Sequence, residues 1–375
     1  MSNLNTPDAG VSTAELELAQ EAEERALSWH NRLLEVAGSS WIFGVLIVMV
    51  VVFSIMSPAF STSFNLVNIL SNAAIYVVLA VGETFVIIMA GIDLSVGSVL
   101  VFSGVVAAKA MGATGGSALG ATNAGWGTVT LGIAAGLAAG GAWGLINGIL
   151  VAKAKIPPLI ATLGTLGAAL GLAQVLTNGV DLSGIPTKMT NAFGSGKVLE
   201  IPSIVICAGV IALVAGIVLS CTRFGRYTYA VGSNAESTRR AGINVDRHVI
   251  SVYALQGLLV GAAAILNLAR FTTTTIGSHG NDNLTVISGV VLGGTSLFGG
   301  RGGIFRTVVG ILIPVVLASG LVIVGVQAFW QTVAVGIVLV VAVYIDQMRR
   351  RPRKRARRRR RSPRQSHSST KGEVL

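Results

Sequence analysis

The sequence predicts an all-α, polytopic integral membrane protein of about ten transmembrane helices, one or two of them broken or re-entrant. Three observations carry this expectation. Of the 375 residues, 52% are hydrophobic and only 12% charged, against about 25% charged in an ordinary soluble domain. The mean hydropathy is +0.72, and the apolar residues fall in long runs approaching the ~20 that a span requires. There are 47 glycines against 9 prolines, and small residues let membrane helices approach closely. A soluble enzyme, a disordered chain and a disulfide scaffold are excluded.

Residues 1–40 are polar and acidic and read as a cytoplasmic segment. Ala14–Val36 has the pattern of an amphipathic helix, and Ser12 and Glu15 are spaced as a capping box. The membrane domain occupies 41–346. Its candidate spans are Trp41–Met56, Leu66–Ala90, Ser95–Met111, Thr128–Val151, Pro158–Thr177, Ile201–Cys221, Val249–Ala269, the short Leu284–Phe298, Ile304–Val322 and Phe329–Ile345. In the fourth, Gly132, Gly136, Gly140 and Gly144 form one small-residue stripe, read as a helix-packing face. Cys207 and Cys221 make no disulfide framework or metal spacing and read as small buried hydrophobes.

The net charge of +12 is local. Arg349–Leu375 holds 13 of the 28 Lys/Arg but one acid, Glu373, so the rest of the chain is neutral. Cationic loops mark the cytoplasmic side. With both termini cytoplasmic, the inside connections carry Lys153, Lys155, Arg223, Arg226, Arg239, Arg240, Arg247, Arg301 and Arg306. The outside ones carry Lys109, Lys188, Lys197 and Arg270. The tail 347–375 then lies inside, where it sets topology and attracts anionic lipid; nucleic acid is not an expected partner.

Two joins lack a hydrophilic loop: Gly91-Ile92-Asp93-Leu94-Ser95, and Gly293 to Gly303. Irregular backbone at membrane depth survives only where protein or water satisfies it, so both are candidate breaks facing a pathway. Both carry G-x-x-L-x-x-G, at Gly91–Gly97 and Gly294–Gly300, through duplication or coincidence. Candidate pathway residues are Asn72, Glu83, Asp93, Ser95, Thr295, Ser296 and Phe298. A mid-span carboxylate is costly and functional by default. Glu83 therefore reads either as an acceptor for the hydroxyls of a solute in that pathway or as a structural partner of another helix. Asp93 either caps the following helix or touches solute. Asn147, Asn267 and Gln256 can bond a polyol or a neighbouring helix.

The polar stretch Thr222–His248 contains a short helix that Ser233 or Asn234 can cap and Gly242 can end. It is either a lever for a cytoplasmic partner or a plain connector. No catalytic machinery is legible. Gly194-Ser195-Gly196-Lys197 fails as a nucleotide loop, because Asn191 breaks the glycine spacing and Val198 replaces the Ser/Thr. The histidines His30, His248, His279 and His367 are scattered. The chain is not expected to be an enzyme.

Thr84-Phe85-Val86-Ile87-Ile88 with Gly91–Ser98, then Gly232–Val245, then Gly293–Gly303, together resemble the permease subunit of ABC sugar importers of the ribose/xylose type, within the branched-chain-type permease superfamily. The resemblance runs from about Asn65 to Asp346 and rests on motif order and spacing. It implies a bacterial inner-membrane dimer of two permeases, a cytoplasmic ATPase that holds ATP and Mg, and an extracytoplasmic sugar-binding protein. This chain itself would bind no cofactor. Ser233, Asn234, Glu236, Arg239, Arg240 and Gly242 would form the coupling helix. The family's acidic Glu-Leu-Asp stretch corresponds here to Asn283-Leu284-Thr285, with Asp282 one position earlier. The expected activity is import of a monosaccharide, a pentose or related polyol. The rivals are an ion-coupled secondary sugar carrier and a membrane-anchored nucleic-acid adaptor.

Overall fold

The computed structural model describes residues 42–115, 121–327 and 329–344. The amphipathic segment Ala14–Val36 with Ser12 and Glu15, the outer ends Trp41 and Ile345 of the first and last spans, and the tail Arg349–Leu375 lie outside the described residues. Every candidate span contains a helix. In chain order they are α1 (Ile42–Met56), α2 (Ser63–Ile88), α3 (Val96–Gly115), α4 (Trp126–Ala152) and α5 (Pro158–Thr177). After the short α6 (Thr187–Met189) come α7 (Ser203–Cys221), α8 (Arg223–Ser233), α9 (Ala235–Arg240) and α10 (Val245–Phe271). The last are α11 (Asp282–Leu292), α12 (Ile304–Ile323) and α13 (Phe329–Tyr344). Seven described helices, α2–α5, α7, α10 and α12, are long and apolar enough to cross a membrane. The only sheet among the described residues is the hairpin of β1 (Lys197–Val198) and β2 (Ile201–Pro202).

Three boundaries correct the expectation. The eighth span stops at Leu292 instead of Phe298, because Gly293 caps it and Gly294 turns to φ +84°. With 11 residues it is ~16 Å long, about half the hydrocarbon thickness. The connector Thr222–His248 is mostly helical. It contains α8, which no apolar run announced, capped where the Thr222 hydroxyl accepts from the Gly225 N–H at 3.3 Å. Then α10 starts at Val245, its first turn charged and capped by Asn244, which accepts from the Arg247 N–H at 3.0 Å.

Burial follows membrane logic. The most apolar span window, in α7, is only 22% buried, whereas α3 is 67% buried. Apolar side chains such as Leu213, Val175, Leu163 and Phe305 point outward, as a lipid-facing rim requires. The same rule corrects the cysteines. Cys207 is half-buried and Cys221 exposed, since α7 sits at the rim and an apolar neighbourhood there means lipid.

The inner helices meet through glycine. A Cβ on Gly140 would run into the Gly257 carbonyl, and one on Gly144 into the Tyr253 carbonyl. One on Gly148 would stand 2.8 Å from the Ile250 Cα. The predicted stripe is therefore the face along which α4 and α10 pack backbone to backbone, antiparallel, with Gly132 continuing it onto Met111 of α3. One end of the bundle carries the connections 57–62, 121–125, 178–202, 272–281 and 324–327, called here the first end. The second end carries 89–95, 153–157, 222–244 and 293–303.

Candidate functional site

At the second end, α2 stops at Ile88. Ala90 takes φ 66° and the Gly91 N–H returns to the Val86 carbonyl at 2.9 Å, which folds the chain back beside its own helix. Glu83, fully buried, anchors the returning strand. It accepts from the Asp93 N–H and from Gln256 Nε2, each at 3.1 Å. Asp93 in turn accepts from the Ser95 N–H (2.8 Å) and hydroxyl (2.6 Å), a turn that leads directly into α3. Asn147 Nδ2 donates to Ser95 Oγ at 2.9 Å, and the Thr165 hydroxyl donates to Asn147 Oδ1 at 2.7 Å. The Tyr253 hydroxyl reaches the Ile92 carbonyl at 3.3 Å. One break thus joins α2, α3, α4, α5 and α10, and protein groups serve its buried polar atoms apart from Gln256 Oε1, which makes no hydrogen bond.

The second break, Gly293–Gly303, packs against the first. The Gly300 N–H donates to the Ile88 carbonyl at 2.8 Å. Ser296 closes the turn: its N–H donates to Arg301 O (3.0 Å), its carbonyl accepts from Gly299 (2.9 Å) and its hydroxyl accepts from the Phe298 N–H (3.3 Å). Thr295 is buried against Gly302, and the Phe298 ring is exposed. Thr84 and Thr307 share a hydrogen bond of 2.9 Å that ties α2 to α12.

The polar helices reach both breaks. A Cβ on Gly232 would strike the Ile88 carbonyl and lie 2.9 Å from the Gly300 nitrogen, and Ser233 lies beside Gly300. The Tyr229 hydroxyl donates to the Gly302 carbonyl at 2.9 Å. Burial pushes this phenol above its ordinary pKa, with Arg306 opposing, so it keeps its proton. Of the two candidate caps, Asn234 is the one used: its Oδ1 accepts from the Ser237 N–H at 2.8 Å, while Ser233 closes α8. Gly242, at φ +83°, turns the chain after α9. Glu236 and Arg240 pair at 3.2 Å, and Arg239 reaches Asp246 at 3.1 Å, where Lys155 also binds at 3.1 Å. These charges are thus engaged with one another, and α9 is latched to α10 and to the α4–α5 connection.

The first end holds a different feature, a cavity of about 820 Å³ between the 57–62 connection, α2, α10, the 272–281 connection, α11, α12 and α13. Of the predicted pathway residues only Asn72 lines it; Glu83, Asp93, Ser95, Thr295, Ser296 and Phe298 belong to the breaks. Its other polar walls include Tyr76, Asn267, Thr275, His279 and Asp282. The Tyr76 hydroxyl donates to Asp282 Oδ1 (3.0 Å), and Asp282 Oδ2 meets His279 Nδ1 (2.6 Å). His279 Nε2 meets Thr275 Oγ1 (2.9 Å), and Asn267 Nδ2 donates to Thr275 Oγ1 (3.0 Å). Sequence reasoning missed Tyr76 and His279 here: an isolated Tyr in a span and a loop His carry no pattern. The displaced acid Asp282 was the one signal available. Among the described residues no cluster of His, Cys, Asp or Glu could hold a metal.

Comparison with known proteins fits this architecture. The family model described as the branched-chain amino acid transport system/permease component matches residues 65–343. The ribose import permease protein RbsC of Escherichia coli (strain K12) is 39% identical over 308 residues, 81% of this chain and 92% of that protein. The L-arabinose ABC transporter permease protein AraH of Azospirillum brasilense is 36% identical over 311 residues, 82% and 88% of the two chains. The D-allose transport system permease protein AlsC of Escherichia coli (strain K12) is 34% identical over 308 residues, 82% and 90%. No solved structure matches significantly. With that match running from α2 to α13 and across both breaks, the chain belongs to the permease-component family of branched-chain-type transport systems.

Proposed function

We propose that this chain is the membrane-spanning permease subunit of an ATP-driven importer that passes a monosaccharide, a pentose or related sugar or polyol, received from an extracytoplasmic binding protein. The observation that carries the mechanism is the backbone packing of Gly232 against both breaks. A displacement of α8 and α9 cannot leave the Ile88–Ser95 and Gly293–Gly303 turns where they are. A cytoplasmic ATPase docked on the exposed face of α9 would move both turns and so open the second end to the cytoplasm. The ATPase would hold ATP and Mg, and a second permease, identical or related, would complete the pathway.

The orientation follows from charge. Lys153, Lys155, Arg223, Arg226, Arg239, Arg240, Arg247, Arg301 and Arg306 lie at or beside the second end, which the positive-inside rule makes cytoplasmic. Both termini then lie in the cytoplasm of a bacterial cell, and the cavity faces outward. Sugar is favoured as cargo by the names of the relatives, which transport ribose, allose and arabinose, and by cavity walls rich in neutral hydrogen-bonding groups. The test is gentle purification of the tagged chain from its native membrane, with mass spectrometry of what stays bound. A stoichiometric ATPase is expected. A lone, stable chain that still moves sugar in liposomes would overturn the reading in favour of a secondary carrier.

A further inference from the structure

We propose that Asp181 is a positioning residue for transport: it latches the connection 272–281, which acts as a gate at the inner side of the first-end cavity. The proposal rests on the reading of this chain as a transport permease and assigns the part that shuts its outward cavity. The connection starts at the first end, where α10 stops at Phe271, and runs inward. Asp282, just beyond its far end, meets the hydroxyl of Tyr76, which stands halfway along α2 (Ser63–Ile88). Thr275, Ser278, His279 and Asn281 line the cavity along this descent. The inner end adjoins both breaks. A Cβ on Gly97, two residues past Ser95, would strike the His279 carbonyl, and α11 carries the chain from Asp282 directly to Gly293.

Two residues of the connection are held against their own preference. Thr272 takes φ 59° and Thr275 φ 49°, a region that β-branched residues rarely enter. Such conformations persist only where the surroundings hold them, and they gather at switches. Asp181 brackets Thr275: its Oδ1 accepts from the Ile276 N–H at 2.6 Å and from the Thr274 hydroxyl at 3.1 Å. Two further bonds close the same contact, from the Thr274 N–H to the Leu182 carbonyl at 3.2 Å and from the Leu182 N–H to Thr274 Oγ1 at 2.9 Å. The segment that carries Asp181 is a fixed post. Its Gly184 carbonyl accepts from the Ala121 N–H and its Thr187 N–H donates to the Thr122 carbonyl, each at 2.9 Å, and Ile185 and Met189 are buried. Asp181 is exposed, so water competes for its oxygens, and contacts of this kind open at low cost. Once they open, the strain at Thr272 and Thr275 relaxes and the connection lifts away from Gly97. Because α11 joins its inner end to the second break, a shift of α8 against Gly300 reaches the latch through one rigid helix.

The test uses the full chain with its ATPase and binding protein in proteoliposomes, with D-ribose, L-arabinose and D-allose as probes. Hydrogen–deuterium exchange over residues 273–281 is compared without nucleotide and with ATP plus vanadate. In the wild type the two states are expected to differ at least threefold, with residues 182–187 unchanged. Asp181→Ala is expected to speed exchange at Ile276 at least tenfold without nucleotide, and to lower the number of sugars imported per ATP hydrolysed at least threefold. Asp181→Asn, whose amide oxygen still accepts both bonds, is expected to stay within twofold of the wild type in both readouts. The ratio does not depend on how much protein is folded, so a merely structural role leaves it unchanged. Equal exchange in the two states, or a wild-type ratio in Asp181→Ala, overturns the latch. Should Asp181→Ala fail to fold, Thr274→Val is read instead: it loses the bonds to Asp181 and to the Leu182 N–H and keeps that of Ile276. Exchange about threefold faster and a ratio about twofold lower are expected, and no change in either counts against the proposal. ATP-driven uptake with a connection that does not respond to nucleotide sinks the latch and leaves the importer standing. Asp181-dependent exchange without ATP-driven uptake of any of the three sugars does the reverse.

Discussion

The two ends of this molecule are built on opposite rules. At the second end, two helix breaks, polar side chains from α4, α5 and α10 and the end of α8 close on one another, and glycine stands where any Cβ would strike backbone. At the first end, polar side chains surround a cavity of about 820 Å³. A closely bonded cluster moves as a unit, because each partial displacement leaves further buried polar groups unpaired. A loose polar cavity can exchange its partners for those of a ligand. The difference sets a closely paired region apart from an open polar one, and Glu83, the most conspicuous charge in the sequence, lies in the paired one.

Substitutions can break or sharpen that contrast. The largest effect is expected from Gly232→Val. Its Cβ would meet backbone atoms of Ile88 and Gly300, neither of which can rotate away, and overpacking of this kind costs about 1–3 kcal/mol. Sugar uptake should fall by about tenfold or more, one decade per ~1.4 kcal/mol. Gly242→Ala provides the control: it has open space around it and only the φ of +83° to oppose it, so its cost should be about 1 kcal/mol. Equal losses would show that the Gly232 contact is not the link.

Next comes Glu83→Ala against Asn72→Ala. The first strands the Asp93 N–H and the Gln256 amide, at about 1–3 kcal/mol for each buried group left unpaired. It should lower the melting temperature of the purified chain as well as transport. The second removes a cavity wall and should reduce uptake while changing stability by about 0.5 kcal/mol or less. The opposite pattern would return Glu83 to the pathway. A smaller effect is expected from Glu236→Ala with Arg239→Ala. The pairs they make are half-exposed, so stability should change by no more than about 1 kcal/mol. Sugar-stimulated ATP hydrolysis in the assembled complex should fall about threefold, a coupling loss within the usual range. Unchanged stimulation would deny α9 its coupling role. The smallest is Tyr229→Phe, which removes one hydrogen bond to Gly302. At about 1 kcal/mol, it should speed amide exchange around Gly299–Gly303 about fivefold, read by hydrogen–deuterium exchange. No change there would disconnect α8 from the second break.

The sequence alone determined the membrane-spanning, all-helical class and the order of the apolar segments. Hydrophobic length and charge are summed along the chain, and lipid reads them without reference to any contact. It also determined both breaks and the small polar helix, because Gly91, the Gly293–Gly303 run, Asn234 and Gly242 act on their own backbone neighbours. Local signals failed wherever a helix is held by something distant. Arg223–Ser233 has no apolar run and owes its place to packing against α7 and the breaks. Only the tertiary structure decided that Glu83 faces Gln256, 173 positions away, instead of the cavity. It also brought Tyr76 to Asp282 across 206 positions. Propensity and hydropathy act between near neighbours, whereas the partner of a buried polar group is whichever one the folded helices bring within hydrogen-bonding distance.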